Sequence, residues 1–239
     1  MASALEIPAR QVSGAVAATR TLPLAAPFAE LFGQAAVQRG STVGCTGPAA
    51  WSLAMALAAA PSHEGSWVGV ASPAHPMFGV RAAAELGVAL ERFVLVADPP
   101  GPTGAADHQR WAEVVAAMVD GFDIVVIAGR VAGRLRAAAA RTVQARLRTR
   151  GAVVLVVGAP GAFACDHELV TSQPVWEGLG RGHGVARARR IEVELRGRRT
   201  PRPVRADMWL PGADGRLSLC TEPRGATGAA PVVPLRRTG

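Results

Sequence analysis

Lysine, asparagine and tyrosine are absent from this chain, so all 26 of its basic side chains are arginine. Cysteine is nearly absent as well. Cys45, Cys165 and Cys220 are widely spaced and odd in number, which argues against a disulfide framework and for reduced thiols. The longest apolar stretch, Gly47 to Pro61, is too short to span a bilayer. Met1 to Glu6 lacks the basic-then-apolar order of a secretory leader, so a cytoplasmic chain without a membrane segment is expected. A hydrophobic share of 49% excludes a disordered protein, and 239 residues suit one domain, or one with a small appendage. Abundant Ala, Arg, Gly and Pro beside the missing Lys and Asn point to GC-rich coding DNA. Such a bias exchanges Lys for Arg cheaply on a surface, but not where a compact ammonium must meet phosphate.

The residues that are present alternate between strand and helix from 42 to 157. Thr42–Cys45 reads as a strand, Thr46–Pro48 as a turn and Ala49–Ala60 as an Ala-rich helix. Trp67–Ala71, Phe93–Val96, Ile124–Ile127 and Val153–Val157 are continuous apolar strands. Between them lie a helix over Met77–Leu86 that stops at Gly87, a Pro/Gly loop from Asp98 to Gly104, and a helix with Trp111, Val114, Val115 and Met118 on one face. A further helix steps by four through Leu135, Ala139, Val143 and Leu147, with arginines from Arg134 to Arg150 on its other faces. Apolar strands interleaved with amphipathic helices imply a mostly parallel sheet covered on both faces. After residue 165 the period becomes two: Ile191, Val193 and Leu195 alternate with Arg190, Glu192 and Glu194. Leu169-Val170 and Val204–Leu210 read likewise, as antiparallel strands with one wet face. Thr221–Gly239, rich in Gly, Pro and Arg, reads as a flexible tail.

The strand–turn–helix at residues 42–60 is where a phosphate-binding loop would sit, its backbone N–H groups cradling phosphate and its Lys reaching the outer oxygens. Phosphoryl transfer there requires three parts. The first is Lys followed by Ser/Thr; Gly44-Cys-Thr-Gly-Pro-Ala-Ala-Trp-Ser52 carries Ala and Trp instead, and Trp51 is bulky enough to obstruct phosphate. The second is a carboxylate after the next strand, where Ser72-Pro-Ala-His75 offers none. The third is an acid closing the fourth strand, where Ile127 is followed by Ala128-Gly129; Asp123 lies at that strand's opposite end. Hydrolysis is therefore not expected, although free N–H groups at the helix N-terminus leave weak nucleotide binding open. Cys165-Asp-His167 lacks a second pair at zinc spacing, and His63, His75, His108 and His183 are scattered singly. Ser52 stands in no Gly-x-Ser-x-Gly turn. No catalytic, metal or cofactor residue is assigned.

Several stretches together resemble the RecA-like accessory proteins of bacterial inducible mutagenesis, the ImuA family, and particularly its actinobacterial ImuA-prime branch. They are Arg39–Pro48, Gly65–Val70, Ala83–Pro99, Thr171–Gly184, Arg187–Val193 and Met208–Pro211, within a likeness spanning about residues 22 to 212. Leu86-Gly-Val-Ala-Leu-Glu-Arg92 is shared with RecA relatives at large, whereas Trp176-Glu-Gly-Leu-Gly180 is particular to the branch. The resemblance implies an α/β, RecA-like core with a C-terminal antiparallel β extension. It also implies a non-catalytic adaptor in a damage-induced translesion-synthesis assembly of the SOS response. The partners implied are an ImuB-type Y-family polymerase homologue and, through it, an error-prone C-family polymerase, with nucleoid association on DNA damage. A SulA-like cell-division inhibitor and an atypical ATPase are the alternatives. The expected division is an N-terminal segment at 1–41, a degenerate core at 42–165, the β extension at 166–220 and the tail at 221–239.

Between Arg181 and Arg205 stand nine Arg and two acids, a net of +7 against +8 for the whole chain. Such a segment can neutralise phosphates without regard to sequence, dock an acidic protein surface, or form a solvated face. The candidate contacts are Arg187, Arg189, Arg190, Arg198 and Arg199, joined by Trp209, which falls among the polar residues of its strand. Trp176 and Trp209 are too few for a base-stacking platform. The partner surface is expected from about Val185 onward, with the helical face around Arg134 to Arg150 as the alternative.

Overall fold

Runs of four or five apolar residues have no wet face, and they fold only if both sides are covered. In the computed structural model, which describes residues 21–71, 78–99, 105–180, 183–200 and 202–221, these runs form the centre of one sheet. β3 (Thr42–Thr46), β4 (Val68–Ala71), β5 (Phe93–Val96), β6 (Ile124–Ala128) and β7 (Val153–Val157) are followed by β8 (His167–Leu179), β9 (Gly184–Arg196), β10 (Val204–Trp209) and β11 (Ser218–Leu219). Their spatial order is β5-β4-β6-β7-β3-β8-β9-β10-β11. Every pairing from β5 to β8 is parallel, and β9, β10 and β11 then add antiparallel.

Successive side chains of the central strands serve two cores. Ile124 and Val126 join one with Val43, Cys45, Val153 and Leu155; Val125 and Ile127 join the other with Val154 and Val156. The first core is filled by α1 (Ala26–Phe32) and α2 (Ala50–His63), through Phe28, Leu31, Leu53, Met55 and Leu57, with α3 (Val80–Glu85) contributing Ala83. The second is filled by α4 (Ala105–Gly121), α5 (Gly129–Ala132) and α6 (Ala137–Arg150), through Trp111, Val115, Met118, Val131, Val143 and Leu147. In α6 the buried position is Ala140 rather than Ala139, because a stripe at 3.6 residues per turn drifts away from a strict step of four. β1 (Thr21–Pro23) and β2 (Ala36–Gln38) pair antiparallel beside α1; strands of three residues carry too little pattern to read in advance.

The C-terminal strands differ from expectation in one respect. β8 begins as a parallel neighbour of β3, from Val43↔His167 to Thr46↔Val170, and only its far side is antiparallel. The extension therefore continues the core sheet instead of forming a separate layer. No helix among the described residues is long and apolar enough to cross a membrane. Of the segment 221–239, only Thr221 lies within the described residues.

Asp123 ties the N-terminal ends of three elements together. Its carboxylate accepts the Trp67 N–H at 2.9 Å and pairs with Arg39 at 2.9 Å, while Arg39 also donates to the Gly151 carbonyl. Asp123 is buried and Arg39 largely so, with 6% and 10% of their side chains exposed, so removing one strands the other's charge. Asp123→Ala should lower unfolding free energy by about 3–5 kcal/mol in denaturant titrations. A double-mutant cycle with Arg39→Ala should show that the two losses do not add.

Candidate functional site

The turn between β3 and α2 lies where a parallel strand feeds a helix N-terminus. It consists of Gly47, Pro48 and Ala49 alone. Gly47 has φ +92°, and a Cβ placed there would lie 2.0 Å from the Thr171 carbonyl oxygen. Only glycine fits this position, because the conformation is left-handed and β8 passes directly against it. The Thr171 hydroxyl accepts the Ala49 N–H at 3.1 Å and donates to the Thr46 carbonyl at 2.9 Å. Ala50 N–H is bonded to the Gly47 carbonyl. Two N–H groups at this helix end, those of Ala49 and Ala50, are thus used internally. The sequence could not show this, since Thr171 and Ala49 are 122 positions apart.

Trp51 does not project into the turn. It is half-buried and packs on Phe78 at 5.1 Å, which stacks on Phe93 at 6.2 Å. From the other side Arg189 of β9 reaches α2, donating to Ser52 Oγ at 3.0 Å and to the Leu210 carbonyl at 2.7 Å, with its guanidinium 5.2 Å from the Trp176 ring centroid. At the end of β6, Ala128 is buried, and a Cβ on Gly129 would lie 2.8 Å from the Ala159 backbone nitrogen. A metal-binding carboxylate at Gly129 would have no room. The stretch Ser72–His75 lies outside the described residues.

Cys165 and His167 are both buried. Burial, reinforced by Glu168 and Asp166, pushes the Cys165 thiol up to about 11, and burial pushes the His167 imidazole below its ordinary value against the pull of Asp166. Both shifts oppose a thiolate–imidazolium pair. Cys45, fully buried in the first core, is likewise raised by burial.

The candidate arginines do not converge. Arg187 and Arg196 stand near opposite ends of β9, roughly 30 Å apart at strand spacing. Arg189 is committed to Ser52 and Leu210, and Arg190 is buried and paired with Asp207 at 2.9 Å. Arg198 and Arg199 both pair with Asp166, at 3.7 and 3.4 Å, Arg196 pairs with Glu168 at 3.0 Å and Arg205 with Glu194 at 2.7 Å. Arg199 and Arg202 line an open groove of about 450 Å³ with Glu30, Phe32 and His167. Arg187 and Arg202 are exposed with no ion pair among the described residues. The linear charge count therefore overstates the patch, because carboxylates distant in sequence fold against it. Trp209 is half-buried opposite Arg190. Trp176, not singled out as a contact from the sequence, is 42% exposed.

Residues 30–161 match the family model described as MT3502 N-terminal domain. The uncharacterized protein Rv3395c of Mycobacterium tuberculosis is 34% identical over 134 residues, a stretch that covers 52% of this chain and 59% of that protein. Among solved structures, the crystal structure of the RadB recombinase superposes with a TM-score of 0.52 at 15% identity, covering 79% of this chain and 94% of that one. The architecture is thus RecA-like, a mostly parallel sheet flanked by helices with antiparallel strands toward the C-terminus.

Thr171→Val should cost about 1–3 kcal/mol, because it strands a buried N–H. It should create no nucleotide stabilisation, since the chain has no Lys to supply. Gly47→Ala should cost about 1–3 kcal/mol from backbone conformation alone, and more once the overlap with Thr171 is included. Chemical denaturation with and without Mg²⁺-ATP measures both.

Proposed function

Because the chain belongs to the MT3502 N-terminal domain family and its phosphate turn is closed by Thr171, we propose that it is a non-catalytic RecA-like adaptor of the ImuA type. In this role it supports damage-induced translesion synthesis by binding an ImuB-type Y-family polymerase homologue and, through that protein, an error-prone C-family polymerase. One observation carries the non-catalytic part. One backbone donor of the turn, the Ala49 N–H, and the space beside Gly47 are occupied by the chain's own β8. The ImuA-like stretches, Thr171–Gly184 above all, support the adaptor role, and the antiparallel strands after residue 165 carry its surface.

Mg²⁺-ATP should be neither hydrolysed nor stabilising. A ligand present at 100 times its Kd would add about 2.7 kcal/mol, which thermal denaturation detects readily, so a clear shift would overturn the closed-turn reading. The full chain should co-purify with the polymerase homologue encoded in the same genome. Failure to bind it, with binding to the tubulin-like division protein instead, would favour the SulA-like alternative.

An auxiliary DNA contact is the second part of the proposal, confined in this segment to the exposed arginines that no acid neutralises among the described residues. Replacing Arg187 and Arg202 with Ala should flatten the log–log salt dependence of DNA binding by roughly 0.9 for each phosphate left without its arginine. Replacing Arg196 and Arg205 should leave it unchanged. Equal effects from the two pairs would show that the ion pairs do not hold in solution.

A further inference from the structure

β8 and β9 are thirteen residues each, against five for β3 and six for β10. β3 pairs with β8 no further than Val170, and β10 pairs with β9 no further than Arg190, with two more backbone bonds linking Arg189 to Leu210 and Pro211. From Glu177↔Ala188 outward the two strands pair only with each other, forming an arm along which β8 advances roughly 7 Å and β9 roughly 13 Å at strand spacing. There one residue of β8, Gly178, opposes three of β9, Val185, Ala186 and Arg187. Such a bulge turns side chains out of the sheet. Val185 is 72% exposed, Leu179 51% and Trp176, at the arm's base, 42%. Seven large apolar residues are exposed among the described residues, and the two most exposed are Leu179 and Val185. Apolar exposure gathered on one projection marks an interaction surface more than a scattered set does.

We infer that this β8–β9 arm is the docking surface for the protein partner, and that it receives an acidic segment carrying apolar side chains. The inference rests on the adaptor reading and locates its contact. Charge selects the occupant. The Arg187 stem lies beside Gly178, whose added Cβ would be 3.0 Å from Arg187 Cγ, and its guanidinium has no carboxylate partner among the described residues. Arg189 is a half-buried cation bonded to the neutral oxygens of Ser52 and Leu210, and burial holds its pKa below the ordinary value. Glu177 is half-buried at the arm's base, where it pairs with Ala188. An acidic, aliphatic segment would cover Trp176, Leu179 and Val185 and place a carboxylate near both arginines. DNA suits the arm less well, because a single exposed arginine offers little phosphate neutralisation beside three apolar side chains.

The test uses the full chain and the purified polymerase homologue in titration calorimetry, with two variants whose altered side chains are solvent-exposed. Trp176→Ala combined with Leu179→Ser should weaken binding by about thirtyfold or more, as loss of an interface tryptophan does. Arg187→Glu should weaken it by about tenfold through charge reversal, and both variants should melt within a few degrees of the parent. Because Arg187 makes no contact that folding needs, the second variant decides the matter if the first is destabilised. If the unaltered chain fails to bind the homologue, the adaptor reading falls and the arm assignment falls with it. If the unaltered chain binds and both variants bind within threefold of it, the arm assignment alone is wrong. Loss of DNA binding by the Trp176/Leu179 variant, with its homologue binding intact, would instead make the apolar arm a nucleic-acid contact and equally overturn the proposal.

Discussion

The Thr171 hydroxyl, bonded to both the Thr46 carbonyl and the Ala49 N–H, is the contact on which the rest of this molecule turns. A phosphate-binding loop must leave several backbone donors pointing at empty space. Here one side chain of β8 takes a donor, and its backbone fills the volume beside Gly47. The same contact holds β8 parallel against β3 and fixes where α2 begins. Arg189 adds a second tie, from β9 to Ser52 on the first turn of α2. What would be a ligand cleft is therefore internal packing, and the strand order survives because hydrophobic burial on both faces, not the cleft, supports it.

An arginine-only complement of cations has structural consequences elsewhere. Asp123, Asp166, Asp120 and Asp207 each receive guanidinium groups, and Asp120 and Asp166 each receive two. The planar, multi-donor guanidinium suits such shared pairing better than ammonium does. Most of these pairs are exposed and contribute little to stability; the exceptions are Arg39–Asp123 and Arg190–Asp207, each with one buried partner. Their collective effect is on the field of the surface, since pairing cancels much of the charge in a segment that looks strongly basic when counted along the chain.

The core strands were legible because continuous apolar runs tolerate one arrangement, a sheet covered on both sides, and the helices between them carry their own period. The C-terminal alternation through Ile191, Val193 and Leu195 was legible for the same reason. The arm was not. Its pattern is broken by a register shift, by the positive φ of Gly178 and Gly184, and by a run of glycines that reads as loop. Alternation detects a strand only where one face stays buried, and the arm has no buried face to impose it.

The sequence by itself determined what the molecule lacks and what must be inside it. Without lysine, the chain has no ammonium to place in a phosphate-binding loop; its apolar runs likewise require a covered sheet. Only the tertiary structure decided what occupies the vacated turn, which arginines remain unpaired, and which apolar residues face solvent. Each of those depends on groups far apart in the chain, such as Thr171 with Ala49 or Arg39 with Asp123. Pairing at that range follows from the packing of whole elements against one another, and no local period or composition encodes it.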